Sequence, residues 1–202
     1  RKLFSNKKYL TREIYINIYT KIYNFCTKKI SFGSNVDDFK VNIFNQRKKF
    51  YYIIINILNS ICIKYKEEIE NSQCIINKYN DIYDYYYLCS KILDNIFEYF
   101  NRVFIRENDN NKFIQILDTC KHVWFKIIII PLNHKLYQNI NNIITYERKD
   151  RVYNNLDNIK SFLKSYLTLS LEINLEIFEA NNINYEDCYS IYKVLFEKKY
   201  FE

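Results

Sequence analysis

Glycine and proline each occur once in this chain, tryptophan once, histidine twice and methionine not at all. So few breakers predict long helices joined by short polar connections. A sandwich or barrel is excluded, because it needs a Gly-rich turn about every ten residues. No apolar run approaches the roughly 20 residues that cross a bilayer. The longest is Ile127 to Ile130 with its neighbours, so no membrane partner is expected. The opening RKLFSNKKYL has no apolar stretch of the kind a signal peptide carries, so none is expected. No CxxC is present, and His122 and His134 lie apart without a ligand-spaced Cys or His. Neither a metal site nor a cofactor is expected from this pattern, and no residue is marked as catalytic.

What is present is apolar and aromatic. The 202 residues are 49% hydrophobic, with 21 Tyr and 15 Phe, enough to bury a substantial core. Ile, Asn, Lys and Tyr are overused in the manner of an AT-rich genome, so periodicity is a better guide than helix propensity. The net charge of +7 comes from lysines scattered among Asn and Glu. There is no Arg-rich stripe and no aromatic motif on a strand, so nucleic acid is not expected as a partner. Cys26, Cys62, Cys74, Cys89, Cys120 and Cys188 fall mostly on apolar helix faces, which fits reduced thiols in an intracellular protein of the cytoplasm or nucleus.

Apolar spacing places a first helix over roughly residues 8 to 28, then a polar loop with Gly33, then a long helix over roughly 38 to 68. A shorter helix carries Ile75, Tyr79, Ile82 and Tyr86, and another spans roughly 87 to 106. The Asn-rich Glu107 to Lys112 reads as a turn. The next helix carries Phe113, Leu117, Cys120, Trp124 and Ile127, and Pro131 ends it or starts the following one, which uses Leu132, Leu136, Ile140 and Ile143. Tyr146 to Val152 reads as a charged turn. Further helices carry Leu156 to Leu169 and Tyr185 to Phe201, with a linker near Phe178 to Asn184. About eight helices and no strand make an all-α fold of stacked antiparallel helical bundles.

The first helix is apolar on two sides. At about 100° per residue, Ile14, Phe25, Ile18 and Ile22 fall within about 80° of one another, and Tyr15, Cys26, Tyr19, Tyr23 and Ile16 cover about the next 100°. A helix lying on one core needs an apolar arc little wider than about 100°. The Ile and Phe side is expected to pack inward. The tyrosine side fits either a protein contact, which favours large rings with a polar tip, or packing on a further helix. The run over 88 to 106 has a similar excess, with Leu88, Ile92 and Tyr99 on its edge beside Asn95 and Arg102.

Taken in order, several segments resemble the N-terminal domain of the cullins. REIYINIYTKIYNFCT is similar to the second helix of that family, with its Tyr-rich register closing on Cys-Thr. SKILDNIFEYFNR (residues 90 to 102), the aromatic Trp124, PLN at Pro131 to Asn133, YER at Tyr146 to Arg148 and the closing IYKVLFEKKYFE follow in the family's order. The first helix resembles most the cullin that recruits Skp-type adaptors and F-box receptors. One departure is Lys149–Asp150, where the family often places Gly after the Glu-Arg pair.

The resemblance implies a cullin-repeat stalk, with residues 1–107 as a first repeat lacking its first helix and 108–202 as a second repeat. It implies a non-catalytic scaffold of a cullin-RING ubiquitin ligase, not an enzyme. Its partners would be a Skp-type adaptor with an F-box protein and, through a part of the protein outside this chain, a RING protein. The family's adaptor contacts fall on Tyr15, Ile16, Tyr19 and Tyr99, with Val103 and Tyr23 as neighbours. Trp124, Pro131 and the Glu147–Arg148 pair read as structural. Other readings are a cullin that binds another BTB-type adaptor, an unrelated helical-repeat tether, and an RNA-binding helical array.

Overall fold

A computed structural model describes residues 11–27, 36–107, 113–150 and 155–172. Among them lie seven α-helices and no strand. They are α1 (Arg12–Thr27), α2 (Val36–Glu70), α3 (Ile75–Ile96), α4 (Glu98–Phe100), α5 (Ile116–Trp124), α6 (Ile130–Asp150) and α7 (Leu156–Glu172). π-helical segments follow α4 (Asn101–Arg106) and α5 (Phe125–Ile129). The polar loop with Gly33, the linker and helix expected after residue 172, and Cys188 lie outside the described residues.

The chain divides into two compact units. One comprises 1–58 and 86–120, the other 59–85 and 121–202, so α2 and α3 each contribute to both. The core of the first unit is a phenylalanine cluster. Phe100 lies 5.1 Å from Phe104 and 5.6 Å from Phe50, and Phe104 lies 4.7 Å from Phe113, ring centre to ring centre. Each such pair adds about 0.5–1.5 kcal/mol beyond the area it buries. The second unit is centred on Trp124, Tyr79, Phe162 and Tyr166, all fully buried, with Ile128, Ile129, Leu132 and Leu136.

Two expected boundaries are corrected, and a third, at Pro131, is refined. The periodicity suggests a division at residue 86 or 87, but α3 runs to Ile96. DYYYLCS contains no breaker. The bend comes at Phe97 (φ −94°, ψ 10°), where Ile96, Phe97 and Phe100 turn into the phenylalanine cluster. Pro131 does stand in the first turn of α6, but the chain does not leave helical conformation before it. Ile130 N–H donates to Phe125 O in the π register, and Ile130 keeps helical angles (φ −55°, ψ −54°). A proline has no N–H and its ring crowds the carbonyl four residues back. A widened turn just before it accommodates both problems. Finally, Tyr146 to Asp150 is the last part of α6 and not a turn. Glu147 is buried there, and its Oε1 accepts the N–H of Asn155 at 2.7 Å, one residue before α7. The carboxylate thus meets the positive end of the next helix.

Candidate protein-docking face

Thr11 precedes helix α1, and its Oγ1 accepts the N–H of Ile14 at 3.3 Å in N-cap fashion. With Ile14 at 0°, Ile22 lies at about 80°, Tyr15 at about 100°, Cys26 at about 120° and Tyr19 at about 140°. Ile22 and Cys26 are buried at 6% and 5% exposure, and Tyr15 and Tyr19 are half-buried with stacked rings 6.5 Å apart. The helix therefore buries the middle of its wide apolar arc and leaves both flanks open.

This corrects the expectation that Ile14, Phe25, Ile18 and Ile22 all pack inward. Ile14 is 42% and Ile18 37% exposed, Phe25 is half-buried against Phe50 at 5.0 Å, and only Ile22 is fully enclosed. A helix whose apolar arc exceeds about 100° can centre its buried line anywhere within that arc. Here the two buried residues, Ile22 and Cys26, set the line.

The other flank carries Ile16, 50% exposed, and Tyr23, 42% exposed. Tyr23 meets α4 directly. Its ring centre lies 4.6 Å from that of Tyr99, tilted by 56°. Tyr99 also meets Arg102, whose guanidinium carbon stands 4.7 Å from the ring centre, a cation–π contact on an exposed side chain. Val103 is half-buried one turn beyond Tyr99. The structure thus pairs Tyr15 with Tyr19 on α1 and Tyr23 with Tyr99 between α1 and α4, while Ile16 shares the flank of Tyr23 two turns earlier.

One residue at this face has no local sequence signal. Arg47 of α2 reaches across both elements. Its Nη1 donates to Val103 O at 3.3 Å and its Nη2 donates to Cys26 O in a short bond. Nothing near Arg47 in the sequence announces partners 21 and 56 residues away. Burial pushes the neighbouring Cys26 thiol up to about 11, against the opposing pull of the Arg47 charge, so the thiol stays protonated and behaves as a small core residue.

A face of half-exposed rings and an isoleucine, rimmed by an exposed arginine and set on helices with a packed core, has the composition of a protein-binding surface. The described residues thus form an all-helical fold with a partly exposed aromatic face. The family profile described as the cullin alpha solenoid domain matches residues 1–202, and the chain belongs to the cullin family. It is similar to Cell division control protein 53 of Saccharomyces cerevisiae, with 23% identity over 171 residues. That match covers 82% of this chain and 21% of the yeast protein, so the chain spans about a fifth of that relative.

Proposed function

We propose that this chain is a non-catalytic scaffold of a cullin-RING ubiquitin ligase, and that Tyr15, Ile16, Tyr19, Tyr23, Tyr99 and Val103 dock a Skp-type adaptor carrying an F-box substrate receptor. The single observation that supports the docking role is the Tyr23–Tyr99 pair, held at 4.6 Å between α1 and α4 with Ile16 half in solvent on the same flank. Such a pre-ordered aromatic face loses little conformational entropy on binding. A RING protein joins through a part of the protein outside these residues. Residues 1–107 and 108–202 correspond in this reading to successive repeats. The scaffold performs no chemistry. It raises the effective concentration of a receptor-bound substrate near the conjugating enzyme. The buried thiols Cys26 and Cys120 suit an intracellular compartment.

The test pairs Ile16→Glu with Tyr99→Ala and measures adaptor affinity alongside the unfolding midpoint. A loss of about 2–4 kcal/mol in binding with the fold retained supports the site. An unchanged affinity in the well-folded double variant removes it. Parallel capture with Skp-type and other BTB-type adaptors distinguishes which adaptor class the face selects.

A further inference from the structure

We infer that Arg47 is the positioning residue of the docking face: its guanidinium ties the last turn of α1 to the π-helical segment after α4 and so fixes the Tyr23–Tyr99 pair. This rests on the docking role proposed for that face.

The geometry is specific. Cys26 O belongs to the last turn of α1, where the final four carbonyls have no donor within their own helix. The sequence of α1 places no basic residue in that turn to meet them or the negative end of the helix dipole. Arg47, from α2, supplies both the donor and the charge. At its other end the fork meets Val103 O, inside the π-helical segment. The α-register donor to that carbonyl, Glu107 N–H, is turned to Ile105 O instead. One planar group therefore bridges two main-chain acceptors on different elements. Tyr23 lies three residues before Cys26, and Tyr99 four before Val103, so each ring is borne about one turn from a clamped carbonyl. Tyr23 is itself 42% exposed, so surrounding packing alone does not hold the pair. The guanidinium Nε is enclosed with no acceptor within reach, which leaves Nη1 and Nη2 as the groups that orient the side chain.

The measurement is a double-mutant cycle on the 202-residue chain, with a purified Skp-type adaptor as the probe and hydrogen exchange of the unbound chain as a second readout. Arg47→Met is expected to weaken adaptor binding about tenfold when Tyr99 is present, and to cost almost nothing further in the Tyr99→Ala background. Arg47→Lys, which reaches one carbonyl instead of two, is expected to fall between wild type and Arg47→Met, and it stands in if Arg47→Met does not fold. Exchange in the unbound variants should rise over α1. Equal losses in both backgrounds would make Arg47 a general stabiliser and overturn the inference, as would unchanged exchange over α1. Wild-type affinity in Arg47→Met together with a loss in Tyr99→Ala would overturn it while leaving the docking role intact. No adaptor binding by the unaltered chain would instead remove the docking role, and the positioning role with it.

Discussion

Trp124 donates its indole N–H to the hydroxyl of Tyr79 at 3.3 Å, and the two rings meet edge to face with centres 5.7 Å apart. Tyr79 is fully buried, and Ser165 Oγ lies 3.4 Å from the same hydroxyl. Tyr83, 5.3 Å from Trp124, and Phe162, 4.9 Å from Tyr79, complete the cluster. A buried phenol with a partner at its tip joins large apolar burial to a fixed orientation. Tyr79→Phe should lower stability by about 1 kcal/mol, and Tyr79→Ala by about 3–5 kcal/mol. Urea unfolding followed by Trp fluorescence would read both, since the chain has one Trp as reporter.

Asp94 and Asn101 form a polar cap for α5. Asp94 Oδ1 accepts from Asn101 Nδ2 at 2.8 Å and from Leu117 N at 3.1 Å, while Asn101 Oδ1 accepts from Ile116 N at 3.2 Å. These are first-turn amides of the kind that have no donor role inside their own helix. Asn101 is buried, so Asn101→Ala should cost about 1–3 kcal/mol. Because one network is involved, Asp94→Ala combined with Asn101→Ala should cost less than the sum of the two single changes. Thermal midpoints of the three variants would show whether the losses add.

Alkaline pH should destabilise the protein in a defined window. Burial raises the Cys26 and Cys120 thiols from 9.0 to about 11 and the Tyr79 phenol from 10.0 to about 12. The folded chain keeps these protons where the unfolded chain releases them. Their contribution is therefore fully present below about pH 9 and is lost as pH rises from about 9 to about 12. Cys26→Ala and Cys120→Ala should each make stability fall less steeply between about pH 9 and 11. A denaturant midpoint followed against pH in the variants and the parent would detect it.

The two flanks of α1 should behave differently. Ile18 stands on the side opposite Tyr23 and is 37% exposed. Ile18→Glu is expected to leave adaptor affinity within about twofold of the parent, whereas Ile16→Glu should lower it. Calorimetric titration of both variants is the check. Equal losses would mean that the contact covers the whole helix.

Much of the helical organisation was legible in the chain, because one Gly and one Pro leave little to interrupt a 3.6-residue period. The extents of α1 and α2, and Trp124 as a core aromatic, follow from that spacing. The breaks do not. Phe97 bends the chain for the sake of packing with Phe50 and Phe100, and no residue near it is a breaker. Pro131 marks a helix start that the sequence offers, but spacing cannot reveal the π turn before it.

The wide apolar arc of α1 is a property of the sequence alone, since side-chain order around a helix is fixed by its residue spacing. Which line of that arc is buried was decided by tertiary packing: the burial of Ile22 and Cys26 turned Ile14 and Ile18 outward against expectation. The Arg47 clamp belongs wholly to the folded state. Its acceptors are main-chain carbonyls, which every residue possesses, so their selection depends on which helix end and which widened turn the fold brings within reach of one guanidinium.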